Sequence, residues 1–179
     1  MASGGPSDAQ LVSRAKTGRL DAFEELVRRH RTGVYRVALR MLGSPDDAED
    51  VAQDAFGRAW QALPRFRADS SFSTWLHRIV VNRCLNIRRD SRQTEPLPQS
   101  KEDPSYQPER VVEARNQLAA AARAIASLDP AHRAAFVLRE FEGFSYGEIA
   151  AILHVTVPAV KGRIHRTRLE LVELMREWS

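Results

Sequence analysis

The strongest constraint on the fold is a run of apolar residues spaced three and four positions apart in the first half of the chain. The run comprises Ala48, Val51, Ala52, Ala55, Phe56, Ala59, Trp60 and Leu63. This spacing puts all of these side chains on one face of an α-helix. Ser44 before the run supplies an N-cap, Pro45 suits a first turn, and Pro64 ends the run. The pattern predicts an amphipathic helix between about residues 45 and 63.

Similar helical signals recur along the chain, while strand signals are nearly absent. Asp21 and Glu24 have capping-box spacing, and Gly43 follows the apolar stretch that ends at Leu42. A fourth helix is predicted to carry Phe72, Trp75, Leu76, Ile79, Val80, Cys84 and Ile87. In the second half, the predicted helix starts are near Glu109, at Asp129-Pro130, at Ser145 with its capping partner Glu148, and at Thr156. The sequence predicts an all-α fold.

The character of the chain changes between residues 91 and 108. This stretch holds four prolines, few apolar residues and mixed charge, so it cannot bury enough surface to fold alone. We expect two small helical domains, residues 8–90 and 109–179, joined by a flexible linker at 91–108. The total of 179 residues suits two domains of under ~100 residues each.

Composition excludes several classes of protein. Cys84 is the only cysteine, so no disulfide framework and no cysteine-based zinc cluster is expected, and a reducing cytoplasmic setting fits best. No apolar run approaches the ~20 residues of a membrane span. The five histidines are scattered, without paired carboxylates, a nucleophile motif or a phosphate-binding loop. We therefore expect no catalytic residues, no metal and no cofactor. The formal net charge of +4 is compatible with a nucleic-acid partner and does not demand one.

Residues 145–168 have the pattern of a helix-turn-helix. Small Ala150 and Ala151 allow a second helix to approach closely, and that helix buries Val160 and Ile164. Four formal cations and no acid occur between residues 156 and 168. Such a face suits phosphates and guanine edges in duplex DNA, although a solvated basic surface is the ordinary structural alternative. The outward residues are Ala159, Gly162, Arg163 and Arg166, flanked by Lys161, His165 and Arg168.

The first half carries two further surfaces. The outer side of the third helix is crowded with acids, Asp46, Asp47, Glu49, Asp50 and Asp54, which indicates a basic protein partner. Complementation of the helix dipole is the alternative; it explains the acids of the first turn but reaches Asp54 poorly. The loop after that helix interleaves cations with aromatics, a combination that suits unpaired DNA through backbone neutralisation and base stacking. On the fourth helix, Arg78, Asn82, Asn86 and Arg89 share one stripe, with Arg83 and Arg88 nearby. Phe72 and one face of Trp75 are better explained as core, whereas Phe66 fits either role.

The order of these motifs resembles the extracytoplasmic-function sigma factors, the smallest members of the sigma-70 family. The resemblance rests on DAEDVAQDAFGRAW, FSTWLHRIVVNRCLNIRR and LDPAHRAAFVLREFEGFSYGEIAAILHVTVPAVKGRIHRTRLEL, and it covers about residues 8–175. It implies an initiation factor with a region 2 helical bundle followed by a region 4 helix-turn-helix. The implied partners are core RNA polymerase (the clamp helices of its largest subunit and the flap of its second-largest subunit) and promoter DNA. Family members are often held inactive by an anti-sigma protein.

The resemblance also assigns roles residue by residue. The polymerase-binding motif falls on Asp47, Asp50, Gln53, Asp54, Phe56 and Arg58. The positions that bind the unpaired −10 strand in the family, with one base flipped out into the loop, correspond here to Arg65, Phe66, Arg67, Ser71, Ser73, Trp75, Arg78, Asn82, Arg83 and Asn86. The positions that bind the −35 duplex correspond here to Thr156, Pro158, Ala159, Lys161, Gly162, Arg163, His165, Arg166 and Arg168.

The chain departs from the family pattern in places. His154 occupies the turn position where glycine is usual, and histidine tolerates a positive φ better than most residues. Pro158 and Gly162 stand where glycine and serine are common, and Asn86 replaces a common aspartate. A stand-alone helix-turn-helix regulator remains the main alternative; it would dimerise on a palindrome without polymerase, and it leaves the acidic helix and the aromatic loop unexplained.

Overall fold

The computed structural model describes residues 5–94 and 119–176, and every regular element within these ranges is helical. This confirms the all-α prediction. The helices are α1 (Asp8–Lys16), α2 (Leu20–Leu42), α3 (Pro45–Ala62), α4 (Phe72–Thr94), α5 (residues 119–127 described), α6 (Pro130–Glu140), α7 (Tyr146–Leu153) and α8 (Val157–Arg176), with one 3-10 turn at Leu63–Arg65.

The capping signals explain most helix boundaries in the first half. Ser44 accepts a hydrogen bond from the Asp47 backbone N–H and Pro45 opens α3, both as predicted. Gly43 ends α2 with φ 77°, a left-handed conformation that glycine adopts without strain. The predicted capping box at Asp21 is wrong. Helix α2 begins one residue earlier, and Asp21 instead pairs with the Arg19 guanidinium at 3.0 Å.

The segment predicted to be a linker, residues 91–108, begins as helix. Helix α4 continues to Thr94, past the expected boundary at residue 90, because the first residues of the polar stretch still allow helical hydrogen bonds. Residues 95–118, with the rest of the linker and the predicted helix start at Glu109, lie outside the described residues, as does Trp178.

The first half is a bundle in which α2 packs against α1, α3 and α4. Its centre includes the fully buried side chains of Leu26, Met41 and Leu76. Each such side chain stabilises the fold by roughly 1.5–3 kcal/mol through removal of apolar surface from water. Cys84 is buried here as a free thiol, and this burial raises its pKa to about 12. It therefore remains protonated and unreactive at neutral pH.

The two halves contact each other across α2, α4, α6 and α7, and their buried apolar residues form one continuous cluster. The fully buried Arg133 on α6 donates from Nη1 to the Met41 carbonyl at the end of α2, at 2.6 Å. The Phe144 ring lies edge-on to the His77 ring at 4.9 Å between centroids. Separation of the halves would therefore expose apolar surface and unpair buried polar groups. No helix within residues 5–94 and 119–176 is long and apolar enough to span a membrane.

Candidate nucleic-acid and polymerase interfaces

Helices α7 and α8 form the predicted helix-turn-helix. Ser145 and Glu148 make a complete capping box at the start of α7; these hydrogen bonds to Ser145 keep the pKa of the Glu148 carboxyl below its usual range. The turn residue His154 has φ 53°, which confirms that the position requires the left-handed region. Thr156 then accepts a hydrogen bond from the Ala159 N–H at 3.3 Å and caps α8.

The predicted −35 residues lie on the outward side of α8, opposite its buried Val160, Ile164 and Thr167. A Cβ added at Gly162 would meet no atom within 4 Å, so this stretch of the helix offers an open approach to its backbone. The side chains exposed to solvent are Thr156, Pro158, Lys161, His165, Arg166 and Arg168, while Ala159, Gly162 and Arg163 are half-buried.

Two cations of this face already have partners. The Lys161 ammonium lies 5.5 Å from the centre of the Tyr146 ring, and Arg168 pairs with Glu140 at 2.5 Å. No carboxylate within the described residues pairs with Arg163 or Arg166. These two arginines therefore carry positive charge that no acid in that part of the chain neutralises.

The acidic surface on α3 divides into free and paired groups. Asp47, Asp50, Gln53 and Arg58 are exposed. Asp54 is only partly accessible, because it pairs with Arg58 at 2.8 Å and with Arg83 of α4 at 3.2 Å. This second pair was not predictable from the sequence, since the two residues lie on different helices and no local pattern connects them.

Phe56, assigned to the polymerase-binding motif, is buried in the core with 8% exposure. Its ring therefore supports the helix from beneath, and the accessible part of this surface is polar. The apolar period of α3 turns this position inward, and a role of Phe56 in polymerase binding stays a prediction.

An aromatic cluster supports the loop between α3 and α4. The rings of Phe66 and Trp75 lie 4.8 Å apart, and Phe72 lies 5.8 Å from Trp75. All three are buried, as the core explanation predicted for Phe72 and Trp75, and Phe66 joins them. These rings hold the loop in place and do not form an exposed stacking surface. Of the predicted −10 residues in the loop, Arg65, Arg67 and Ser71 are exposed, and the neighbouring Ala68 and Asp69 are exposed as well.

The predicted stripe on α4 is present. Asn82 and Asn86 are exposed, and Arg78 and Arg83 are half-exposed. Ser71 precedes this helix and accepts a hydrogen bond from the Thr74 N–H at 3.1 Å. Ser73, the first assigned residue within α4, is half-buried, and its carbonyl bonds to His77 Nδ1 at 2.8 Å. The stripe therefore begins at Arg78 and runs along the helix beside the loop.

A cleft of about 710 Å³ lies between the loop and α1. Its loop wall runs from Pro64 to Ala68, and its other wall is formed by Ala9, Val12, Ser13 and Lys16. The loop turns at Ala68, a non-glycine residue with φ 58°. No residue of α1 was predicted from the sequence to belong to a binding site. These residues lie about fifty positions before the loop, and no local pattern indicates that the two segments are in contact.

Within residues 5–94 and 119–176, no group of three or more histidine, cysteine, aspartate or glutamate side chains could hold an ion. The described surfaces offer cations, amides and carboxylates for binding.

Comparison with known proteins agrees with this geometry. Residues 26–94 match the model of sigma-70 region 2, and residues 118–171 match that of sigma-70 region 4. The chain is 36% identical to the ECF RNA polymerase sigma-E factor of Escherichia coli K12, over 90% of this chain and 91% of that protein. It is 38% identical to the ECF RNA polymerase sigma factor SigE of Mycolicibacterium smegmatis, over 89% of this chain but only 64% of that protein's length.

The fold is similar to a solved structure of CnrH in complex with the cytosolic domain of CnrY. That match has a TM-score of 0.76 at 34% identity and covers 96% of this chain and 99% of the other. The sigma factor CnrH of Cupriavidus metallidurans is itself 36% identical to this chain. Matches to both regions in order, and to full-length relatives, show that the chain belongs to the extracytoplasmic-function sigma factors of the sigma-70 family, which are transcription initiation factors.

Proposed function

We propose that this sigma factor grips promoter DNA at two separate surfaces while it is docked on core RNA polymerase. The observation that carries the proposal is the partition of charge: an exposed helix α8 with four cations and no acid up to Arg168, and an exposed acidic face on α3. Opposite charges on separate faces suit two different partners, DNA and a basic protein surface.

Helix α8 reads the −35 element as duplex DNA. Arg163 and Arg166 supply charge for phosphates or guanine edges, and Gly162 permits close approach of the backbone. Lys161 lies between Tyr146 and solvent, so its contact is with the phosphate backbone.

The loop after α3 and the stripe on α4 capture the unpaired −10 strand. Arg65 and Arg67 neutralise its phosphates, and Asn82 and Asn86 face the base edges. One base leaves the stack, which costs a few kcal/mol, and enters the cleft beside the loop, where contacts offset this cost. Promoter melting is driven by this binding energy, without covalent chemistry by the sigma factor, and takes place in the cytoplasm where polymerase and DNA meet.

Two surfaces bind polymerase. Asp47 and Asp50 on α3 contact the clamp helices of the largest subunit. Leu169 and Val172, 54% and 51% exposed on α8, contact the flap of the second-largest subunit. Exposed apolar side chains one helical turn apart are typical of a helix that docks on a partner.

An anti-sigma protein is a further proposed partner. The similar CnrH structure is a complex with the cytosolic domain of CnrY, and a second similar structure is that of the sigma factor RpoE in complex with the anti-sigma factor NepR from Bartonella quintana. A purified candidate should bind the full chain and block its association with polymerase. A candidate that binds without such inhibition would not be an anti-sigma protein.

The decisive experiment combines the purified chain with core RNA polymerase and sheared genomic DNA, and maps the 5′ ends of the transcripts. We expect initiation at a discrete set of sites that share −35 and −10 sequences. Core enzyme alone is the control. Initiation that is unchanged by the chain, or the lack of a complex with core enzyme, would overturn the proposal.

A further inference from the structure

One contact connects helix α1 to the loop proposed to hold the unpaired base. The Lys16 ammonium donates a hydrogen bond to the carbonyl oxygen of Phe66 at 2.6 Å. Lys16 is the last residue of α1, and it reaches across fifty positions of sequence to the loop. A hydrogen bond from a charged donor is shorter and stronger than one between neutral groups.

This contact adds a second side-chain anchor at Phe66, whose backbone N–H already donates to the Leu63 carbonyl at 3.0 Å. The Phe66 ring is anchored by Trp75 and, edge-on at 6.4 Å, by Phe72. Its carbonyl accepts the hydrogen bond from Lys16, two residues before the chain turns at Ala68. The positions of the loop backbone and of the cleft beside it therefore depend on both anchors.

We propose that Lys16 is a positioning residue for strand capture: it holds the Phe66 carbonyl and so sets the width of the cleft that receives the unpaired base. The inference rests on the proposed function of that loop. Because Lys16 also lines the cleft, helix α1 forms one wall of the base site, and the loop forms the other.

A direct phosphate contact by Lys16 is the competing explanation. The two roles predict different dependences of binding on the captured base and on salt concentration. A phosphate contact acts whatever base is present, and its loss lowers the salt dependence of binding by about 0.7 per phosphate for a single strand. A positioning role acts only through the base in the cleft, because the ammonium is already engaged with the loop, and its loss leaves the salt slope unchanged.

The test measures binding of holoenzyme to a labelled non-template −10 oligonucleotide whose sequence is taken from the mapped transcripts. Abasic sites are introduced at one position after another. Wild-type holoenzyme should lose affinity sharply at the captured position. Lys16→Met should bind the intact strand about tenfold more weakly, the change expected for one hydrogen bond of a charged group. It should match wild type on the strand that is abasic at the captured position. Lys16→Arg, which keeps a cationic donor, should restore most of the loss.

Arg14→Met is the matched control, because Arg14 is an exposed cation in the same last turn of α1 and does not line the cleft. It should bind every strand as wild type does. If Lys16→Met melts at a lower temperature than wild type, the binding of Lys16→Gln to the same set of intact and abasic strands is measured in its place. An equal loss on all strands, or no loss, would overturn the role of Lys16. If no abasic position weakens wild-type binding, base capture itself is wrong, and the inference is overturned with it.

Discussion

Glu142, in the second half of the chain, pairs with Arg36 of α2, 106 residues earlier, at 3.1 Å between Oε2 and Nη2. The glutamate side chain is only 8% exposed, and Arg40 approaches its other oxygen at 3.7 Å. A nearly buried carboxylate between two arginines of the other half makes this pair an electrostatic contact that holds the halves together. Under the proposed function the two halves bind separate promoter elements, and this contact would oppose any separation of the halves that such binding needs.

Glu142→Arg should weaken the contact between the halves. It replaces the shared carboxylate with a third cation beside Arg36 and Arg40, and removing one partner of a buried charge pair is more costly than losing an exposed one. We expect the free energy of unfolding to fall by roughly 1–3 kcal/mol and the radius of gyration to rise. Urea denaturation and small-angle X-ray scattering measure the two quantities.

The charge swap Arg36→Glu with Glu142→Arg is the control, because it restores one opposite-charge pair at the same place. It should recover part of the lost stability and compaction. If Glu142→Arg leaves both quantities at wild-type values, the pair does not hold the halves together.

Local features of the fold were predictable from the sequence. Ser44, Gly43 and the Ser145–Glu148 capping box act through hydrogen bonds within three or four residues, so a short stretch of sequence is enough to predict them. His154 belongs to the same class, since a helix-to-helix turn requires a positive φ whatever the rest of the chain does. Asp21 is the exception: its spacing fits a cap, but Arg19, two residues earlier, binds the carboxylate.

Features that join distant segments were not predictable. The pairs Arg36–Glu142, Asp54–Arg83 and Lys16–Phe66 depend on how helices pack, and a single sequence contains no signal for partners so far apart. The burial of Phe66 shows the same limit. Its place between cations was compatible with stacking on DNA or with core packing, and only the positions of Phe72 and Trp75 decide between them.

The left-handed turn at His154 should carry a measurable strain. A non-glycine residue in this region costs about 1 kcal/mol or more, and a β-branched residue costs more still. We expect His154→Gly to raise the unfolding free energy by about 0.5–1 kcal/mol and His154→Val to lower it by about 1–2 kcal/mol. Thermal and urea denaturation of the full chain measure both. Equal stability of the two variants would contradict the requirement for a positive φ.

Reversal of the exposed acids on α3 should abolish polymerase binding. Asp47→Arg with Asp50→Arg changes the charge of that face by four units, and like charges across an interface cost several kcal/mol. These positions are preferable to Asp54, because reversal of Asp54 would also break its pair with Arg83. Binding of fluorescently labelled chain to core RNA polymerase is the measurement. Glu24→Arg, an exposed reversal on α2, is the control; similar losses for both would indicate a non-specific charge effect.

Arg163→Ala should weaken recognition of the −35 element more than Arg168→Ala. No acid within the described residues pairs with Arg163, whereas Arg168 is already engaged with Glu140. Loss of a base-contacting arginine costs about 1–3 kcal/mol and relaxes specificity at one position. Holoenzyme binding to promoters with single changes in the −35 element measures this. Core binding should be unaffected, and an equal loss of core binding would contradict the division of roles between the halves.

The contact between the halves should also respond to pH through His77. Burial lowers the pKa of this side chain from 6.5; its Nδ1 bonds to the Ser73 carbonyl, and its Nε2 has no hydrogen-bond partner among the described residues. The hydrogen bond to Ser73 and the charge of Glu142 raise the pKa of His77, but desolvation, to which His30 adds, lowers it by more. The unfolded chain therefore binds the proton more readily than the folded chain, so stability rises with pH below about 6.5. His77 contributes most above that pH, and its contribution is lost as the pH falls from 6.5 toward its lower folded pKa. Urea denaturation between pH 5 and 8 should show a steeper acid-side loss for wild type than for His77→Leu, which cannot titrate at this position. Identical pH profiles for the two proteins would mean that His77 does not titrate on unfolding.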